Sequence, residues 1–415
     1  MLPLQEELKA YTQHILEKHG RIAKTQTKAN VTGLQWRDDD KTWEISIDDH
    51  QPLIAQFVIN ASGPLSTPII PAIKGQEKYK GHAFHTNDWD HSVDLTDKNV
   101  AIIGSGASAA QVIPAIVEKV KKLHVFQRTP HWIIPRWDYV FKAWQRKLLR
   151  NKWSYKLLRW LIYWGLEIRI LGFKYSKTML AVVGGRPARK LLQRQIADPN
   201  LRAKLTPDFT IGCKRVIISS TFLPAVAHSN TQLHDKHDPV VELTEDGVLT
   251  KTGEHIPIDV LVYSTGYDAA DGIISYPVVG KKNKQLSDFW SDYPRAYLGT
   301  CIPDFPNLFI VTGPNTGIGH TSALFVIESQ MIYILDCINR VRTQNGTSIE
   351  VTREAEDQYP QMIHAEMQGT VWQTGGFHSW YQSKSGKVTA MFPGFSFSYR
   401  RLCKNFNLNH QSIRG

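Results

Sequence analysis

The chain opens on MLPLQEELKAYTQHILEKHG, where apolar residues recur at helical spacing among mixed acids and bases, the pattern of an amphipathic helix. Two strand-like runs follow, WEISI at Trp43–Ile47 and FVINASG at Phe57–Gly63, separated by the turn-forming stretches DDDK and DDHQP. Together they predict a small antiparallel sheet. After a proline-rich connector at 64–75, the run at 99–103 is of the buried-strand type, and a glycine turn and a helix come next. The strand at Leu123–Phe126 completes a βαβ unit. A basic, tryptophan-rich segment then reads as helices to about Lys204, and strands return at Val216–Ile218 and Val260–Ser264.

FVINASG at Phe57–Gly63 and DVLVYSTGY at Asp259–Tyr267 share one form: an apolar strand, a small residue, Ser or Thr, then Gly. They bracket the βαβ unit, as they would if one domain were inserted between two halves of another. A length of 415 residues with 42% hydrophobic residues accommodates two or three domains, and 28 Gly and 21 Pro without any homopolymer tract exclude disordered, collagenous and coiled-coil classes.

Charge is concentrated in one place. The formal net charge is +11, yet residues 136–195 hold 15 Lys and Arg against Asp138 and Glu167, a local net of +13, which leaves the rest of the chain at −2. No nucleic-acid recognition motif accompanies that charge. The apolar stretch at 153–173 is interrupted by Lys156, Arg159, Glu167 and Arg169 and so falls short of a membrane span. Within it Trp153, Leu157, Trp160, Leu161, Trp164, Ile168 and Leu171 recur at helical spacing beside Lys152, Lys156 and Arg159. This stripe either covers an active site or lies on a membrane surface. The four cysteines show no CxxC or metal-ligand spacing, which argues against disulfides and a zinc site; no metal is expected, and a reducing, cytoplasmic compartment is the default.

The most specific motif is VAIIGSGASAAQ at Val100–Gln111, in which Gly104-Ser105-Gly106-Ala107-Ser108-Ala109 joins a strand to a helix. In such a turn the first glycine permits the tight bend, the second lets backbone approach a pyrophosphate, and the small third residue allows close helix packing. The helix N-terminus adds N–H donors and a positive dipole end. At the end of the second strand an NAD site carries an acid; this chain has Arg128 and Thr129 in FQRTP, which points to NADPH. An arginine that only caps a strand end is the competing reading.

With these residues in place the sequence resembles the flavin-dependent monooxygenases of the Baeyer-Villiger type. The stretch Tyr79-x-Gly81-x-x-x-His85-x-x-x-Trp89-Asp90 is similar to that family's fingerprint, FxGxxxHxxxW followed by Pro or Asp, with Tyr in place of Phe. FQRTPHWIIP, CKRVIIS, DVLVYSTGYD, GPNTGIGHTSALFVIESQ (313–330) and SWYQSKSGKVTAMFPGFSFSYRR (379–401) extend the likeness to the end of the chain. The resemblance implies two cofactors, FAD and NADPH. It implies that Lys214 joins Arg128 and Thr129 at the 2′-phosphate, and that Arg215 is the catalytic arginine. A permanent cation there would stabilise the C4a-peroxyflavin formed from reduced FAD and O2, and the adduct it forms on a ketone or aldehyde, giving an ester or lactone. Ser62 and Gly63 at the domain crossing, and Asn315, His320 and Thr321 on the loop after LFIV, are the flavin-side candidates.

The expected fold is α/β, with two Rossmann-like dinucleotide-binding domains. An NADPH domain at 93–258, carrying a helical insert at about 136–204, is inserted in an FAD domain formed by 1–92 and 259–415. The family's first strand, GxGxxG turn and acidic ribose ligand have no counterpart in the sequence, so the FAD domain is expected to be N-terminally incomplete and the chain truncated. The implied partners are O2 and a hydrophobic carbonyl compound, with peripheral contact of 153–173 with the inner face of the membrane as a further option. Hydroxylation or heteroatom oxidation is the alternative chemistry, and an inactive NADPH-binding, membrane-associating chain is the alternative class.

Overall fold

The computed structural model describes residues 5–136, 139–269, 272–376 and 379–415. The first four residues of the opening pattern and Asp138 of the basic segment lie outside the described residues.

Five parallel strands form one sheet in the order Thr231–His234, Lys122–Phe126, Asn99–Ile103, Val260–Tyr263, His82–His85. The central strands are β-branched and buried on both faces. Val100, Ile102, Val260 and Val262 pack under the helix Ala109–Ile116, whose Ala109 and Ile113 are fully buried. Ala101, Leu261 and Tyr263 on the other face pack with Leu243, Val248 and Ile256 of an antiparallel meander, Val240–Leu243, Gly247–Thr250 and His255–Pro257. Cover on both faces is what permits a parallel sheet with hydrophobic runs. The connections reverse direction between Asn99–Ile103 and Val260–Tyr263, so the crevice at their carboxyl ends is the topological switch point where such sheets bind ligands.

Two expectations are corrected here. FVINASG does not join the antiparallel sheet: Thr42–Ile47 pairs with Val31–Arg37 and with Leu53–Ala55, while Val58–Asn60 runs parallel to Leu308–Ile310. The short strand Leu53–Ala55 takes the meander edge and frees the next one for a distant partner. Second, His82–His85 and Val260–Tyr263, assigned to the flavin-side segments 1–92 and 259–415, hydrogen-bond to each other in the five-stranded sheet. The boundaries at 92/93 and 258/259 therefore cut through a single sheet.

The largest core joins the helices Ala323–Thr343, Arg353–Met367 and Ser396–Lys404 with Trp132, Ile170, Phe209 and Ile211 from the middle of the chain. Cys301, Cys337 and Cys403, remote in sequence, meet in it as buried free thiols. The basic segment is helical as expected, with Ala143–Leu149, Lys152–Glu167, Ile170–Tyr175 and Arg186–Gln195 as its main parts. The opening helix Gln5–Lys18 buries none of its residues.

The edge strand His82–His85 is held by a side chain that only glycine admits. A Cβ on Gly81 would lie 2.2 Å from the Tyr79 hydroxyl and 2.7 Å from the Asp259 carbonyl. Gly81→Ala is therefore expected to cost about 1–3 kcal/mol, the usual penalty of overpacking. A thermal melt checks this, and an unchanged midpoint would contradict the packing described.

Candidate functional site

The glycine turn sits at the switch point. Gly104 has φ +113°, a conformation that favours glycine, and a Cβ there would lie 2.2 Å from the Ser264 carbonyl. Its N–H donates to Phe126 O at 2.9 Å, which ties the turn to the second strand. Gly106 faces open space, with nothing within 4 Å of where its Cβ would be. Ser105 is buried, with its hydroxyl 3.4 Å from Thr129 O. Ala107 O accepts from Gln111 Nε2, Ser108 is the N-cap position, and Ala109 packs against the sheet. Around the turn the strand ends carry buried polar atoms without a partner: Ser264 Oγ, Tyr263 OH, Thr86 Oγ1 and His85 Nε2. Orphaned donors and acceptors of this kind are costly unless a ligand or water satisfies them, so the crevice fits a polar, phosphate-bearing molecule.

Beyond the second strand, Arg128 is exposed and Thr129 half-buried. Lys214, 86 positions later in the chain, lies near enough that burial and the Arg128 charge together lower its pKa to about 8. His131 is held at about 3 by burial and by Lys214. Two cations crowded together beside a neutral histidine form a site whose repulsion an anion would relieve. The next residue points elsewhere: Arg215 is exposed, and its charge acts on the Tyr381 phenol of the flavin-side half.

The fingerprint residues form the wall where the chain crosses between halves. Tyr79 donates its hydroxyl to Ile258 O at 3.2 Å, a hydrogen bond that Phe at this position could not make. His85 is buried edge-on to Tyr267 at 5.6 Å, and its Nδ1 accepts from Asn87 N at 3.0 Å. Burial lowers its pKa, leaving the ring neutral at pH 7. Trp89 packs on Phe84 at 4.9 Å. Tyr267 O–H donates to Asn87 Oδ1 at 3.0 Å, and Ile69 N donates to Gly266 O at 3.0 Å. The fingerprint thus clasps both connecting segments.

On the flavin side a second pair of parallel strand ends meets. Ser62 N and Oγ donate to Asn60 Oδ1 at 3.0 and 2.7 Å, while Asn60 Nδ2 is buried without a partner. Gly63 lies against Thr312, a β-branched residue held at φ +56°, a strained conformation of the kind that clusters at ligand sites. Buried Gln330 holds this turn: its Oε1 accepts from Thr312 N at 2.8 Å and its Nε2 donates to Thr300 Oγ1 at 2.8 Å. Asn315 donates both amide hydrogens, to Val388 O and Met391 O, so its side chain ties the loop to the segment 388–391. His320 and Thr321 do carry buried atoms without hydrogen-bond partners, both ring nitrogens and Oγ1.

Sequence reasoning missed Glu167. It read as an interruption of an apolar stripe, but it is the buried residue of helix Lys152–Glu167. Its carboxylate accepts from Ser396 N at 2.5 Å and Ser396 Oγ at 2.8 Å, and lies 3.4 Å from His320 Nε2, both side chains being fully buried. Burial and Arg169 hold the His320 pKa at about 4, so a neutral ring lies beside the Glu167 carboxyl group. Asn60, Thr312 and Gln330 were also missed as individual residues; the turn after FVINASG was the available signal. Among the described residues, His234, Asp238 and Glu254 approach as metal ligands would. Asp238 is already engaged by His234 Nδ1 and by Thr252 N and Oγ1, so hydrogen bonding accounts for the grouping.

A family model for flavin-binding monooxygenase-like proteins matches residues 4–188. A Baeyer-Villiger monooxygenase of Pseudomonas aeruginosa is 36% identical over 409 residues, which cover 98% of this chain and 77% of that protein. The chain belongs to the Baeyer-Villiger-type flavin monooxygenase family. A second such protein, from Streptomyces coelicolor, is 35% identical over 99% of this chain and 78% of its own length. The fold matches a crystal structure of OTEMO in complex with FAD and NADP, with a TM-score of 0.87, 25% identity, and coverage of 99% of this chain and 85% of that one.

Glu167→Ala should destabilise this Baeyer-Villiger family member by about 1–3 kcal/mol, because it leaves the buried Ser396 N–H without its acceptor. Denaturant unfolding reads the change, with Glu167→Gln, which keeps an acceptor oxygen, expected to lose less. Equal loss in both variants would contradict the hydrogen-bond account.

Proposed function

We propose that the protein is an NADPH- and FAD-dependent monooxygenase that inserts one oxygen atom of O2 into a hydrophobic ketone or aldehyde, giving an ester or lactone, and reduces the other atom to water. The observation that carries this reading is the division between two adjacent cations, Lys214 beside Arg128 and Arg215 with its charge acting on Tyr381. Domains are read accordingly: the nucleotide-side domain runs from His82 to Tyr263 with its helical insert, and the flavin-side domain consists of the chain on either side.

The backbone of Gly104–Ala109 would hold the pyrophosphate of NADPH, with the N-terminus of helix Ala109–Ile116 favouring its negative charge. Arg128, Thr129 and Lys214 would hold the 2′-phosphate, the guanidinium as a planar fork and the ammonium as a point charge. Ser62, Gly63, Thr312 and the loop carrying His320 and Thr321 would border the flavin, with backbone donors facing its carbonyl edge. FAD, when bound, supplies two-electron exchange with NADPH and activation of O2. Arg215 would stabilise the negative charge that builds on the substrate carbonyl oxygen as the new C–O bond forms, a task suited to a group that stays protonated in a dry site. A cytoplasmic location accords with four free thiols.

Arg215→Ala is expected to keep NADPH oxidation while losing at least about a hundredfold in oxygenated product, the usual scale for removing a transition-state charge partner. Product analysis by gas chromatography beside NADPH absorbance reads both, and retained ester formation would overturn the assignment.

Lys214 adds a pH dependence. With its pKa near 8 in the free protein, it is protonated below that pH and loses its charge above it. A bound 2′-phosphate would raise that pKa, so NADPH affinity should be highest below about pH 8 and fall as pH rises through it, while NADH affinity stays flat. Titration of the two nucleotides from pH 6.5 to 9.5 tests this, and parallel curves for both would contradict a Lys214–phosphate contact.

A further inference from the structure

Helix Lys152–Glu167 is inverted relative to an ordinary surface helix: Glu167 is its buried residue, and its apolar stripe faces outward. Trp153, Leu157, Trp160, Leu161, Trp164 and Ile168, at spacings of three and four, are all exposed, Trp153 by 80% and Trp160 by 57%. The expectation that this stripe covers the active site is not met. Among the described residues the helix touches the flavin-side half along one edge, where Tyr163 stacks on Phe325, Trp164 meets Phe397 and Glu167 accepts from Ser396. The preceding helix Ala143–Leu149 adds exposed Trp144 and Leu148.

Basic residues line the same two helices. Arg146, Lys147 and Arg150 flank the first, and Lys152, Lys156 and Arg159 the second, within the segment of net charge +13. Lys156 Nζ lies 5.7 Å from the Trp153 ring centroid. Among the described residues no helix is long and apolar enough to cross a membrane.

We propose that this face docks on an anionic lipid bilayer, lying in the interface without spanning it. Tryptophan is favoured at the headgroup level, leucine and isoleucine between the tryptophans reach the acyl boundary, and the flanking cations meet the negative surface. A second copy of this chain is the weaker occupant, because a two-fold contact would set the +13 segment against itself. A nucleic acid would answer the charge but leave Leu157, Leu161 and Ile168 in water. The proposal is independent of the oxygenation reaction.

The test is co-sedimentation of the full chain with phosphatidylcholine vesicles and with vesicles containing about one third phosphatidylglycerol. The expected result is about tenfold more bound protein with the anionic vesicles at low salt, reduced by added salt. A Trp153→Ala/Trp160→Ala variant should lose about tenfold in binding. A Lys152→Glu/Lys156→Glu/Arg159→Glu variant should lose the preference for phosphatidylglycerol. Both act at exposed positions and should melt as the parent does, which separates lost docking from lost folding. Equal binding to both vesicle types, binding to neither, retention of single-stranded DNA in place of vesicles, or self-association in sedimentation velocity that Trp153→Ala/Trp160→Ala removes would each overturn the proposal.

Discussion

The approach of the Gly104 backbone to the Ser264 carbonyl is the constraint on which the rest of the molecule depends. At this point the strand Asn99–Ile103 ends, and its parallel neighbour Val260–Tyr263 ends beside it. A methyl group at Gly104 would collide with that carbonyl. Without the close contact the turn could not close onto Phe126 O, and the crevice lined by Ser264, Tyr263 and Thr86 would not form. The fingerprint residues reinforce the same spot from outside. Gly81 lets Tyr79 lie flat against the chain, and His85 wedges beneath Tyr267, so both crossings between halves are anchored to one sheet edge.

From that frame two cations side by side in sequence acquire different surroundings. Lys214 lies near Arg128 and is partly desolvated, and both lower its pKa. Arg215 stays exposed and acts on Tyr381. The ends of Val58–Asn60 and Leu308–Ile310, with Thr312 held at φ +56° beside Gln330, make a second meeting of parallel strand ends.

Much of this was legible in the chain because it is local. The glycine turn, the strand before it and the helix after it lie within twenty residues, and turn chemistry reads directly from sequence. The fingerprint and the Lys214-Arg215 pair were likewise visible as residue types. What was not legible depends on distant partners. Nothing near Val58 announces Leu308 as its neighbour, and an acid in an apolar stripe reads as a defect until Ser396, 229 positions away, turns out to be its donor. The edge position of His82–His85 was hidden for the same reason, and it moved the domain boundary.

The central claim is that these two meetings of strand ends serve one oxygenation. Incubation of the protein with FAD, NADPH, a hydrophobic ketone and isotopically labelled O2, followed by mass spectrometry of the product, tests it most directly. The account predicts an ester or lactone carrying a single labelled oxygen, with about one NADPH consumed per product formed. NADPH consumption that yields only hydrogen peroxide, or a product with unlabelled oxygen, would contradict it.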